Sequence, residues 1–330
     1  MSDSQTNSSL TAWRRCKREY ELDYRLRLQR DGDEREVLEV GRTWHLGHEI
    51  RGNSEKGSFD PFVEMRRVAP TDLWGEKLCR LFAGYEWYWE SQPLEIIKAE
   101  STFRAQFIGH EMRGQIDAEA RLEDGREGIV ERKTAGESLD GDYFDRLRLA
   151  TQPGIYSLAM GVPSFILYDV VRKPTINPKN LVKKDVARMR SEIKSKSMAT
   201  YFGEQFSEEE LNQAMTEGGG KESLLMYGAR LTADIGDRPD YYFARREVHR
   251  TEADYDSLLK DLTAEMMLIE EAEANDLFPR NPDACKTFGT CKYFPLCSCN
   301  IYPNEASCPD GFHVREHRHP ELDGETTVPA

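Results

Sequence analysis

The stretch MRGQIDAEARLEDGREGIVERKTA, residues 112–135, decides how this chain folds. Apolar and polar residues alternate on either side of Glu123-Asp124-Gly125, the pattern of two strands joined by a tight turn. Loop length then determines which side chains share a face. A two-residue Asp124-Gly125 loop would set Asp117 against Arg132 and send Glu131 to the opposite face. A three-residue loop with Gly125 left-handed pairs Asp117 with Glu131. Lys133 joins Glu131 on that face, because strand side chains alternate with period two. The three-residue loop is the expected one.

Working outward, EIIKAESTFRAQF (95–107) reads as a preceding strand and SFILYDVVRK (164–173) as a later one, with a helical segment carrying Gln152 and Tyr156 between. This α-β-β-β-α-β order predicts an α/β fold, a mixed central sheet flanked by helices. Upstream, TDLWGEKLCRLFAGYEWYWES (71–91) is an amphipathic helix in which Cys79 reads as a buried small hydrophobe. GRTWHLGHEI (41–50) starts another, with His45 and Glu49 on one face. A first helix is expected through TAWRRCKREYELDYRLRL (11–28), placing Cys16 among Arg14, Arg15, Lys17 and Arg18, which favour its thiolate. Residues 174–239, with a lysine-rich stretch and GGGK, read as a partly helical insertion or lid. A returning strand (241–250) and a long helix (251–275) follow. The expected organisation is one domain over residues 1–308, a cysteine loop at 279–300, and a polar, mobile tail over 309–330.

A chain of 330 residues, 38% hydrophobic and 32% charged, is a polar globular protein. Its net charge of −14 excludes a DNA-coating protein, so any nucleic-acid contact must be a local basic patch. The opening MSDSQTNSSL has no apolar run, and no stretch is long enough to span a membrane. A cytoplasmic protein is expected. Seven cysteines, an odd count in a reducing compartment, favour metal ligation over disulfides. Cys285, Cys291 and Cys297 repeat as C-x5-C-x5-C, with Cys16 far upstream. Four thiolates suit an iron–sulfur cluster or a structural zinc, and the long spacing leans away from zinc. Cys299 and Cys308 are alternatives to Cys16. A rim of Arg14, Arg15, Lys17, Arg18, Lys286 and Lys292, interleaved with Trp13, Phe288, Tyr293 and Phe294, could grip single-stranded DNA by phosphate pairing and stacking.

Phosphodiester hydrolysis needs a cation to polarise the phosphate, an activated water and a positive group to offset developing charge. Asp117 and Glu131 suit Mg²⁺ or Mn²⁺, His45 adds a nitrogen that Mn²⁺ accepts more readily, and Lys133 would act on water and phosphate. Glu100, on the preceding strand, reads first as a salt-bridge partner and second as a further ligand.

The string GRTWH…GQID…VERKT…QPGIY resembles the PD-(D/E)XK nuclease superfamily, particularly RecB-like and phage-type exonucleases. The resemblance implies a restriction-endonuclease-like sheet and a DNA exonuclease, acting on single-stranded ends in recombination, repair or phage DNA processing. It implies that His45, Asp117, Glu131 and the Arg132 carbonyl bind Mg²⁺ or Mn²⁺, that Lys133 is catalytic, and that Gln152 and Tyr156 support the site. Relatives of the CRISPR-adaptation and AddB type imply a [4Fe–4S] cluster on Cys16, Cys285, Cys291 and Cys297, closing the C-terminal region onto the first helix. A helicase or recombination protein is the implied partner. The rival reading is a non-catalytic DNA-binding or scaffold protein on the same fold.

Overall fold

The computed structural model describes residues 4–32, 36–53, 59–287, 289–303, 307–316, 319 and 322. The chain opens with α1 (Asn7–Arg15) and α2 (Lys17–Tyr20), a π-turn over Glu21–Arg25, and the short strand β1 (Leu28–Arg30). Three helices follow: α3 (Glu36–Gly52), α4 (Pro61–Val68) and α5 (Asp72–Tyr88). The main strands are β2 (Glu95–Phe107), β3 (His110–Arg121) and β4 (Glu127–Ala135). Then come α6 (Gly141–Leu147), α7 (Thr151–Ala159) and β5 (Ile166–Arg172).

Residues 174–242 form a mainly helical insertion, and Tyr227, Leu231, Ile235 and Tyr242 near its end join the apolar cluster of α3 and α5. The insertion holds α8 (Lys183–Lys196), the hairpin β6 (Ala199–Tyr201) and β7 (Glu204–Phe206), α9 (Glu208–Thr216), α10 (Leu224–Asp237) and α11 (Pro239–Tyr242). Met189, Ile193, Tyr201, Phe206, Leu211 and Met226 give it a private apolar core. The chain returns as β8 (Phe243–Val248), runs through α12 (Glu252–Asn275) and ends with α13 (Phe294–Ser298) and β9 (Phe312–Val314).

The central sheet is five-stranded in the order β2-β3-β4-β5-β8; β4 and β5 are parallel and the other neighbours antiparallel. One apolar cluster, built on Trp13, Phe103, Ile116, Tyr156 and Leu262, packs α1, α7 and α12 against β2 and β3. A second, on Val40, Trp44, Phe82, Val171 and Phe243, packs α3 and α5 against β5 and β8. Helices therefore cover the sheet on both faces, as a buried parallel pair requires.

Two expectations fail here. The first helix does not run through Cys16, which is extended (φ −161°, ψ 118°) and separates α1 from α2. A break at that point lets its Sγ accept the Asn281 amide at 3.3 Å, so Cys16 faces the C-terminal loop. The tail is ordered in part: β9 pairs antiparallel with β1, Gln29 opposite His313, and Arg315 donates to the Arg27 carbonyl. Those backbone hydrogen bonds hold a segment whose composition alone predicts mobility. Phe288 and residues 323–330 lie outside the described residues.

Candidate active site

The β3–β4 loop has the three-residue form. Leu122 and Arg126 close it through a backbone hydrogen bond of 2.9 Å, and Gly125 is left-handed at φ +84°. Ala118 therefore pairs with Val130, the register that brings Asp117 level with Glu131. The ladder stops at that pair. Beyond it the Asp117 carboxylate replaces a backbone acceptor, taking the Arg132 N–H at 2.6 Å, while Arg132 Nη1 returns to the Asp117 carbonyl at 3.3 Å. The strands part enough to turn Asp117 into the site without orphaning the Arg132 amide.

On the other side of β3, Ala99 pairs with Ala118 and Ser101 with Ile116, and the ladder skips Glu100. Its backbone is left-handed at φ +50°, a conformation that costs a β-carbon-bearing residue about 1 kcal/mol. This kink aims the side chain at α3, where His45 Nδ1 lies 3.8 Å from Glu100 Oε1 and 3.4 Å from Asp117 Oδ1. His45, Glu100 and Asp117 place one ligand atom each within 4.8 Å of one another. Glu100 is thus part of the site, where residue patterning ranks it first as a salt-bridge partner; its strained backbone is a signal only the structure carries. Glu131 stands outside that group but is fully buried; Lys133 pairs with its Oε1, and its Oε2 accepts no hydrogen bond among the described residues. A buried carboxylate with free lone pairs is costly unless a cation completes it. The donor set, three carboxylates and one imidazole, fits Mn²⁺ or Mg²⁺.

Lys133 connects the carboxylates to α7. Its Nζ forms an ion pair with Glu131 and donates to Gln152 Oε1 at 2.9 Å, and Gln152 Nε2 donates to Tyr156 Oη at 2.7 Å. Pro153 sits in the first turn of α7, where a missing N–H costs nothing, so helix and relay coexist. Tyr156 is also a core residue, edge-on to Phe103 at 5.5 Å. His48, one turn beyond His45, is boxed by Trp44 and Tyr85, and burial holds it neutral.

The charges are strongly coupled. Burial raises Glu131 to about 7 against the pull of Lys133. Burial also opposes ionisation of Asp117, but His45, Lys133 and the Arg132 amide outweigh it and depress its pKa. Burial works against a charged His45, yet Asp117 and Glu100 override it and raise the imidazole to about 10. Lys133 is likewise held charged by Glu131 and Asp117 despite burial.

Elsewhere, Cys16, Cys285, Cys291 and Cys297 line one cavity of about 170 Å³, bounded also by Arg280 and Tyr293. Cys299 and Cys308 are exposed and do not line it. Among the described residues no three cysteine sulfurs come within 4.8 Å of one another. The basic rim expected here is largely neutralised: Arg14 pairs with Glu265, Arg15 with Glu19, Arg18 with Glu21 and Lys292 with Asp23. Among the described residues, no helix is long and apolar enough to cross a membrane.

No curated protein matches the chain. A solved structure titled "Crystal structure of SSO0001" aligns at 16% identity with a TM-score of 0.22, over 41% of this chain and 61% of that one. The alignment thus spans about three fifths of that protein's length. The sequence profile of the PD-(D/E)XK nuclease superfamily matches residues 5–298, and the chain belongs to that superfamily.

Proposed function

We propose that this protein is a Mg²⁺- or Mn²⁺-dependent DNA exonuclease of the RecB-like, phage type, acting on single-stranded ends in recombination, repair or phage DNA processing. The observation that carries the reading is the contact between His45, Asp117 and Glu100 beside the Glu131–Lys133–Gln152–Tyr156 relay. In it His45, Asp117, Glu131, Glu100 and the Arg132 carbonyl would hold the cation, which would polarise the phosphate and lower the pKa of water. Lys133, held charged, offsets negative charge on the phosphate and orients the attacking water. Gln152, bonded to Tyr156, accepts a further hydrogen bond from the ammonium and helps fix its position beside Glu131.

The same reading assigns Cys16, Cys285, Cys291 and Cys297 to a [4Fe–4S] cluster joining the N-terminal segment to the C-terminal loop. What supports it is that these four cysteines line one cavity and that the C-x5-C-x5-C spacing leans away from zinc. The cytoplasm of a bacterium or phage-infected cell is the proposed location, one domain over residues 1–308 the proposed organisation, and a helicase or recombination protein the proposed partner.

The test is a strand-polarity digest of end-labelled single-stranded DNA with Mg²⁺, Mn²⁺ or chelator, using anaerobically purified protein. Metal-dependent loss of label, absent in Lys133→Ala, supports the reading. DNA binding without cleavage under every metal would instead favour a scaffold role.

A further inference from the structure

The basic run around Cys16 is consumed by carboxylates, but a second cationic surface is not. Helix α8, KKDVARMRSEIKSK, carries six basic residues against two acidic ones, in a chain whose net charge is −14. Met189 and Ile193 on its buried edge belong to the apolar core of the insertion, with Val186 buried beside them. Flanking that edge, Lys183, Arg190 and Lys194, with Ser191, line a groove of about 480 Å³ that Leu181, Val186 and Met215 also line. Lys183, Arg190 and Lys194 are exposed and, among the described residues, none forms an ion pair or side-chain hydrogen bond. Arg188 on the same helix shows the contrast: it is tied to Glu192, which also caps the Thr200 amide.

Unpaired cations concentrated in a groove of an acidic protein are a focused site for a polyanion. Spacing narrows the class. At 1.5 Å rise per residue, Arg190 and Lys194 stand about 6 Å apart along the helix and Lys183 about 10 Å before Arg190. That is a ladder of charge for a repeating phosphate backbone, longer than one isolated phosphate would use. The insertion that carries the groove is joined in sequence to the reaction end of the sheet. The insertion leaves β5 at Arg172, which pairs with Ala135, two residues beyond Lys133 on the parallel neighbour.

We propose that the α8 groove is a phosphate-tracking surface for the DNA strand that enters the site, contacted by Lys183, Arg190 and Lys194 and blind to base sequence. The proposal rests on the nuclease reading and adds to it a second contact region, made of residues other than the metal ligands.

The experiment measures binding of fluorescent single-stranded oligonucleotides of 6 and 30 nucleotides by anisotropy, across a salt series with Ca²⁺ present to suppress cleavage. It compares wild type, Lys183→Ala/Arg190→Ala/Lys194→Ala, and the control Arg188→Ala. Each lost phosphate contact on a single strand reduces the slope of log affinity against log salt by about 0.7, so the triple variant should lose about 2 in slope and about 50-fold in affinity at 0.15 M salt. Arg188→Ala should keep the wild-type slope. Circular dichroism and thermal melting confirm that the triple variant is folded, as expected for exposed side chains.

An unchanged slope in the triple variant, with wild type binding and cutting DNA, overturns this proposal and leaves the nuclease reading standing. If wild type neither binds nor cuts, both fail. Loss of binding to phosphatidylserine vesicles with no change toward DNA would assign the groove to a membrane surface and also overturn it.

Discussion

Metal binding at this site should be a proton-releasing event, and its pH dependence can be worked out from the geometry. In the metal-free protein His45 is protonated at neutral pH, because Asp117 and Glu100 outweigh burial and raise it to about 10. An imidazole coordinates only when neutral, so that proton must leave as the cation enters. Apparent affinity should therefore rise tenfold per pH unit while His45 remains protonated, about 1.4 kcal/mol for each unit. Between pH 7 and 9 the gain is about a hundredfold. Because 31% of the His45 side chain stays open to solvent, screening will end the rise somewhat below pH 10. Below pH 7 the slope should approach two, since Glu131, raised to about 7, then carries a second proton. Isothermal titration of Mn²⁺ in buffers of different ionisation enthalpy counts the protons directly. Glu100→Gln removes one of the two carboxylates holding the proton, so its affinity should stop rising at a lower pH. At high pH, where the proton is gone in either protein, the variant should bind more weakly by roughly ten- to hundredfold. Wild-type affinity that is flat from pH 6 to 9, with no buffer-dependent heat, would refute the reasoning.

The same shifts predict stability without metal. His45 has a folded pKa above its unfolded value, so its contribution is full below pH 6.5 and lost as pH rises toward 10. Glu131 acts in the same direction, since the folded state holds its proton up to about pH 7; the metal-free melting temperature should fall from pH 5 to 9, and a rise would contradict both assignments. Lys133→Ala should abolish cleavage yet bind Mn²⁺ nearly as well as wild type, measured by titration beside the digest; near-normal cleavage would remove Lys133 from the chemistry. Gly128→Ala would drive a β-carbon to 2.4 Å from the Phe165 carbonyl, a backbone atom that cannot swing aside. The expected loss is about 1–3 kcal/mol in urea unfolding, and an unshifted midpoint would show that β4 and β5 can separate at that point. Cys16→Ser and Cys291→Ser should each lose iron absorbance and melt lower, while Cys79→Ser, packed against Phe62 and Phe82, keeps the iron. Full iron content in Cys16→Ser would reassign the fourth ligand.

Much of this protein is legible along the chain because its controlling interactions are local. The strands at 95–107 and 127–135 and the helix after Thr251 follow from alternation, turn glycines and a capping box, all short-range effects. The hairpin register follows from one loop, so residues 14 apart could be brought level from sequence alone. The order His45, Asp117, Glu131, Lys133, Gln152, Tyr156 is legible through the resemblance of GRTWH…GQID…VERKT…QPGIY to the PD-(D/E)XK superfamily.

Other features exist only where distant segments meet. Glu100 joins His45 and Asp117 through a left-handed kink that no residue pattern announces, because the strain is repaid by contacts with another helix. The basic residues at 14–18 look free in sequence, but acids nearby on the chain and as distant as Glu265 neutralise them. Lys183, Arg190 and Lys194 of α8 look no different, yet among the described residues they stay unpaired while Arg188 on the same helix is tied to Glu192. Cys16 leaves its helix, and the tail gains strand β9, to satisfy hydrogen bonds with segments about 265 and 285 residues away. Periodicity sets which face a side chain takes on its own element; which charge or backbone group it then meets is decided by long-range packing.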